Sequence, residues 1–155
     1  MSLADFITWK PIKSVDFLVV HCAATPPSMD IGVNEIRAWH QKRGWFDVGY
    51  HYVIRRDGVA EKGRPENRPG AHVRGANEIS LGICLVGGVD RNNQPEDNFM
   101  DAQMRTLKNL ILELKGRYPS AGVIGHRDVP GVAKACPSFD VLRWYSDTFG
   151  DDQRG

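Results

Sequence analysis

The sequence predicts a single α/β (α+β) domain in which a central mixed β-sheet is flanked by about three helices. Its 155 residues suit one compact domain with its own core. Short apolar, β-branched runs alternate along the chain with segments of helical periodicity, as in domains that pack helices on a sheet. An Asp-Gly pair between two extended segments adds an antiparallel hairpin. The predicted sheet is therefore mixed.

The first half of the chain begins with a strand and a helix. Residues 17–21, FLVVH, form a β-branched apolar run that predicts a buried strand with His21 at its carboxyl end. Val33, Ile36 and Trp39 recur at helical intervals within residues 32–44, and Gly44 is a suitable stop. A loop rich in turn-forming residues separates the two elements.

The middle of the chain predicts a hairpin, a long loop and a central strand. Residues 49–63 contain the hairpin, whose turn is Asp57-Gly58. Residues 64–78 are rich in proline, glycine and polar side chains, which indicates a surface loop. The nearly unbroken apolar run over residues 79–88 is typical of a central strand, so we expect Cys84 to be buried.

The last part of the chain predicts a long helix, a strand and a final helix. Residues 100–118 carry apolar side chains three and four positions apart, and Pro119 ends the helix. Residues 121–126 form a short strand, and residues 140–150 an amphipathic helix with Ser138 as its N-cap. We therefore divide the chain into an N-terminal arm (1–16), a domain (17–150) and a C-terminal tail (151–155).

Charge and composition exclude several classes of function. Lys and Arg total 20 against 19 Asp and Glu, so the net charge of +1 gives no electrostatic reason to bind nucleic acid or an anionic membrane. No apolar run approaches the roughly 18 to 20 residues of a membrane span, and residues 1–20 lack the pattern of a secretory signal. Three widely spaced cysteines argue against a disulfide framework. We expect a soluble monomer made in a reducing cytoplasm.

Two histidines and one cysteine are candidates for a catalytic zinc site, which typically has three protein ligands and an open fourth position. His21 and His126 both end predicted strands, and Cys136 follows ten residues after His126 on a loop able to fold back. Neighbouring residues of a strand point to opposite faces, so Cys22 is excluded beside His21. Cys84 is excluded because it lies in a buried strand.

Alternation along extended segments places further side chains near this cluster. Lys134 lies two residues before Cys136, so both side chains point the same way in an extended segment. By the same rule Tyr50 and Tyr52 share one face of their strand and His51 lies on the other. An ammonium is therefore expected near the metal, and Tyr50 and His51 cannot both face inward.

Six segments together resemble the zinc-dependent N-acetylmuramoyl-L-alanine amidases of bacteriophages, the endolysins of the phage lysozyme type, and more distantly the peptidoglycan recognition proteins. They run in order from about Phe17 to Trp144: VVHCAAT, GVNEIRAWH, GWFDVGYHYVIRRDG, SLGICLVGG, GHRDV and KACPSFDVLRW. The resemblance implies one zinc held by His21, His126 and Cys136, and catalytic roles for Tyr50 and Lys134. It also implies the amidase fold, peptidoglycan as substrate, and hydrolysis of the amide between N-acetylmuramic acid and L-alanine.

The sequence leaves the general base open. Some related amidases carry a glutamate where this chain has Cys84, and a buried neutral thiol is a poor substitute. The proton could leave through Tyr50, through His72, or directly to solvent. His72, within PGAHVRG, is a candidate substrate contact or an exposed loop histidine.

Three alternatives to a cytoplasmically made endolysin remain open at this point. A binding module could grip peptidoglycan without cutting it, although the complete ligand set argues against that. The resemblance also implies that the N-terminal arm could contact the phage RNA polymerase. A cysteine hydrolase that uses Cys22 beside His21 is disfavoured because adjacent strand residues point apart.

Overall fold

The computed structural model describes residues 10–150, which form one five-stranded sheet with three helices. The strands follow the order β3-β2-β4-β1-β5 across the sheet. Their bounds are Phe17–Cys22 (β1), Tyr52–Ile54 (β2), Ala60–Lys62 (β3), Ser80–Leu85 (β4) and Gly122–Gly125 (β5). The helices are Val33–Lys42 (α1), Asp101–Arg117 (α2) and Val141–Phe149 (α3), and single 3₁₀ turns cover Asn77–Ile79 and His126–Asp128.

The sheet is mixed, as the sequence predicts. Strand β1 pairs in parallel with both β4 and β5, and β2 pairs in parallel with β4. Only the hairpin partner β3 runs antiparallel, against β2. Because the four parallel strands share one direction, the residues at their carboxyl ends meet at one edge of the sheet.

The two faces of the sheet are covered by different helices. Side chains of α2 and α3 pack on one face, where Leu18 and Ile83 are fully buried. Helix α1 covers part of the other face through Val33 and Ile36, which pack near Cys84. Cys84 is 0% exposed, which confirms its predicted burial. No helix within residues 10–150 has the length and apolar character needed to cross a membrane.

A buried amide joins the start of α2 to the sheet. The Gln103 side chain is 0% exposed and donates to the carbonyl oxygens of Ile54 and Val86, at 3.2 and 2.9 Å. Its Oε1 accepts from the backbone N–H of Met100 and from the Arg56 guanidinium. These bonds tie the start of α2 to the carboxyl ends of β2 and β4, where the two carbonyls also accept from Val86 N–H and Arg56.

Glu66 fastens the long loop between β3 and β4 to the end of α2. Its carboxylate accepts hydrogen bonds from the hydroxyls of Tyr52 and Tyr118 and from the Arg117 guanidinium. Burial raises the pKa of Glu66, but these donors outweigh that effect and hold the pKa below its usual value. The carboxylate thus stays charged and anchors a loop whose regular structure is limited to the 3₁₀ turn Asn77–Ile79.

The start of α3 differs from the prediction. Asp140, not Ser138, caps the helix, because the Asp140 side chain accepts a hydrogen bond from the backbone N–H of Arg143. Ser138 has a positive φ of 73°, and its hydroxyl donates to the Gly88 carbonyl instead. The loop thereby ties the final helix to the strand end after β4.

The ends of the described chain extend the predicted domain. Ile12 and Val15 pack against the core, and the Ile12 N–H donates to the Asn67 carbonyl at 2.8 Å. The last residues of the predicted arm therefore lie on the domain. The rest of the arm and the tail fall outside the described residues.

Candidate metal centre and its cleft

His21 and His126 come together because β1 and β5 are neighbouring parallel strands. The register pairs Val20 with Gly125, so the next residues along the two strands are the histidines. Their ring centroids are 4.6 Å apart. Since parallel strands end at the same edge of the sheet, strand pairing alone delivers both imidazoles to one point.

Cys136 reaches the same point through the loop that follows β5. The Arg127 N–H donates to the Cys136 carbonyl at 2.8 Å, and the Cys22 N–H points at Cys136 Sγ at 3.3 Å. The donor atoms of His21, His126 and Cys136 all lie within 4.8 Å of one another. Among residues 10–150 this is the one group of three or more such side chains with that geometry. The predicted ligand set therefore converges.

Two nitrogens and one sulfur suit zinc, and three protein ligands leave a coordination position for a reactant. Burial lowers the pKa of His21, and burial followed by the nearby Lys134 ammonium lowers the pKa of His126. Both imidazoles are thus held in the neutral form that binds a metal.

Cys22 lies closer to the centre than alternation predicts. Its thiol and that of Cys136 share a hydrogen bond, which lowers the pKa of Cys22 to about 7 and raises that of Cys136. Cys22 therefore lies next to the cluster, although its side chain is predicted to point away from that of His21. Cys22 is still not a member of the three-ligand group.

The cluster opens into a cleft of about 280 Å³. Tyr50 and Lys134 both line it, so the structure brings the two predicted catalytic residues beside the predicted ligands. Lys134 is exposed, and the Tyr50 ring lies 5.1 Å from the His21 ring between centroids. The other residues of the wall are Cys22, Ala23, Ala24, His40, Arg43, Trp45, Ala71 and His72.

Tyr50 reaches the cleft on a different face from the predicted one. Tyr52 packs on the α2 side of the sheet, whereas Tyr50 packs on the α1 side with Val53 and Cys84. The predicted shared face is wrong because regular strand geometry begins only at Tyr52, so the alternation does not extend back to Tyr50. Burial raises the pKa of Tyr50, and neighbouring thiols add to the shift. The phenol therefore stays protonated at neutral pH.

His72 is buried, so the interpretation of this residue as an exposed loop histidine is wrong. Its ring is 8% exposed, and Nδ1 lies 2.8 Å from His21 Nε2. Burial lowers the pKa of His72 to about 3. This contact joins the long loop to a predicted metal ligand across 51 residues of sequence, and no local signal in the sequence indicates it.

The two remaining histidines have structural partners. His40 Nδ1 accepts from the Gly49 N–H at 2.8 Å, and its ring also borders the cleft. His51 Nδ1 accepts from the Gly82 N–H, which leaves Nε2–H to donate to the Arg68 carbonyl at 2.7 Å. Their hydrogen bonds to the backbone give both rings structural roles.

A mixed sheet that presents two histidines and a cysteine at its carboxyl edge, beside a lysine and a tyrosine, has the arrangement of a metal-dependent hydrolase. The sequence profile of the N-acetylmuramoyl-L-alanine amidases matches residues 11–139. The chain belongs to this family, and it is an amidase of the phage endolysin type.

Relatives and solved structures agree with this assignment. The endolysin of Klebsiella phage KP32 is 53% identical over 128 residues, which cover 83% of each chain. The endolysin of Escherichia phage T7 is 47% identical over 139 residues, 90% of this chain and 91% of the relative.

The amidase LysC from Clostridium intestinale superposes with a TM-score of 0.75 at 28% identity, covering 87% of this chain and 85% of LysC. Drosophila PGRP-LB does so with a TM-score of 0.73 at 25% identity, covering 92% and 86%. The predicted fold is confirmed.

Proposed function

We propose that the chain hydrolyses the amide between N-acetylmuramic acid and L-alanine in peptidoglycan with one zinc ion held by His21, His126 and Cys136. The convergence of these three donor atoms within 4.8 Å carries the proposal. When bound, zinc would supply Lewis-acid polarisation of the scissile carbonyl and activation of water for attack. The neutral imidazoles and the sulfur are the donor types that this ion prefers.

Lys134 and Tyr50 are the side chains that we assign to the reacting amide. The exposed Lys134 ammonium borders the cleft and would stabilise the negative charge that develops on the carbonyl oxygen in the transition state. Tyr50 keeps its proton because burial raises its pKa, so its hydroxyl serves as a hydrogen-bond donor to the substrate. Both groups act without changing their own charge.

The same physical arguments narrow the choice of proton acceptor. Burial raises the pKa of Cys84 well above its usual value, so its thiol remains neutral. Tyr50 is already protonated, and His72 is a weak base whose Nδ1 is engaged by His21. We therefore infer that the proton leaves the cleft to solvent rather than to one of these three side chains.

The decisive experiment compares metal content and product release in two cysteine variants. Cys136→Ala removes a ligand and is expected to lose both the zinc measured by elemental analysis and the release of stem peptides from purified peptidoglycan. Cys84→Ala is the matched control, since that thiol is buried but lies outside the three-ligand group, and it should keep its zinc. Zinc retained by Cys136→Ala would overturn the ligand assignment.

The rival function is a module that binds peptidoglycan without cutting it. It predicts wild-type protein that is retained on purified cell walls yet releases no stem peptides at any zinc concentration. For the amidase, we propose synthesis in the host cytoplasm and action on the wall after release. A contact between the arm and RNA polymerase stays a prediction, because most of the arm lies outside the described residues.

A further inference from the structure

A chain of hydrogen bonds runs from His21 away from the cleft into the protein. His21 Nε2 lies 2.8 Å from His72 Nδ1, and His72 Nε2 lies 3.2 Å from Ser80 Oγ. The Ser80 hydroxyl donates at 2.7 Å to the carbonyl of Ala76. His21 and Ser80 are 1% and 0% exposed, so the chain is shielded from water.

The end of this chain fixes the direction of every bond in it. A serine hydroxyl has one hydrogen, and Ser80 uses it on the Ala76 carbonyl. Ser80 Oγ must therefore accept from His72 Nε2–H. A neutral imidazole carries only one N–H, so His72 Nδ1 is an acceptor and His21 Nε2–H is its donor. The free lone pair of His21 is then on Nδ1, which becomes the metal-binding atom.

The fold holds the His72 ring in place from two sides. A Cβ on Gly82, in the middle of β4, would lie 2.6 Å from His72 Cγ, so only glycine leaves room for the imidazole. The backbone N–H groups of His72 and Val73 both donate to Asn77 Oδ1, at 2.9 and 3.0 Å. These contacts hold the His72 ring in a fixed position, although it lies on an irregular loop.

We propose that His72, supported by Ser80, is a positioning residue for the metal centre that keeps His21 in the Nε2–H tautomer and presents Nδ1 to the ion. The inference rests on the proposed function, because it concerns the same zinc site. It is an alternative to the sequence-based prediction that His72 contacts substrate. Hydrogen bonds to the second nitrogen of a ligating histidine generally set its orientation and affinity for the metal.

The first test needs neither zinc nor activity. In metal-free protein, ¹⁵N chemical shifts of the His21 imidazole report which nitrogen carries the proton, and Nε2–H is expected in the wild type. His72→Leu should lose this preference, and His72→Asn should keep it in part, because an amide oxygen can replace Nδ1 as acceptor. A wild-type His21 protonated on Nδ1 would overturn the inference.

The second test measures zinc affinity by competition with a chromophoric chelator. Removal of such an outer partner typically costs about 10- to 100-fold in affinity, so His72→Leu should fall in this range and His72→Asn between it and wild type. Gly82→Ala should also weaken zinc binding, because it displaces the ring without removing it. Ile111→Val, a core change on the opposite face of the sheet, controls for lost stability and should bind zinc normally.

The outcomes separate this inference from the proposed function. Unchanged zinc affinity in folded His72→Leu, with a raised KM for peptidoglycan fragments, would assign His72 to substrate and overturn the inference while the amidase site stands. Wild-type protein that binds no zinc would overturn the proposed function, whatever the tautomer of His21. If His72→Leu does not fold, His72→Asn and Gly82→Ala give the same comparison.

Discussion

Acid should destabilise this protein through His40, a buried histidine outside the ligand set. His40 Nδ1 accepts a hydrogen bond from Gly49, and the ring packs on Trp45. Burial, followed by repulsion from Arg43 and Arg64, lowers its pKa from 6.5 to about 4, although Asp47 opposes the shift. Protonation would place a hydrogen on Nδ1, which would remove the acceptor of the Gly49 N–H.

The sign and size of the effect follow from linkage. Because the folded pKa lies below the unfolded one, the unfolded state takes up the proton first, and stability falls as pH drops from about 6.5 towards 4. At pH 5 these two pKa values correspond to a loss of about 2 kcal/mol in unfolding free energy relative to pH 8.

Urea unfolding of metal-free protein at pH 8, 7, 6 and 5 would measure this loss in wild type and in His40→Asn. Asparagine can accept from Gly49 but does not titrate, and the other histidines are present in both proteins, so their contributions cancel. We expect the stability difference between the two proteins to change by about 2 kcal/mol over this range, in favour of the variant at low pH. A stability difference between wild type and His40→Asn that stays constant from pH 8 to pH 5 would refute the role assigned to His40.

Two further predictions concern stability at neutral pH. Gln103→Leu should lower the unfolding free energy by about 2 to 4 kcal/mol, because the buried carbonyls of Ile54 and Val86 lose their side-chain donor; a loss below about 1 kcal/mol in urea unfolding would contradict this. Asp140→Ala should cost about 1 kcal/mol through the lost cap at the Arg143 N–H. A change within error in thermal unfolding would show that the cap is dispensable.

Sequence patterns were sufficient to predict the sheet, the helices and the convergence of the three candidate metal ligands. Apolar runs and helical spacing report burial along one element, and both histidines that end predicted strands, His21 and His126, are delivered to one edge by parallel pairing. The resemblance added catalytic roles for Tyr50 and Lys134, and both line the cleft together with Cys136.

Other features depended on contacts between distant parts of the chain. The Tyr50 face follows from where β2 begins, and the start of α3 from a positive φ at Ser138. His72 meets His21 across 51 residues, and Cys22 meets Cys136 across 114. Periodicity describes how a segment presents its own side chains, whereas these contacts are fixed by which segments pack together. The sequence alone therefore determined the elements and the candidate ligands, and only the tertiary structure decided the hydrogen-bond partner of each candidate.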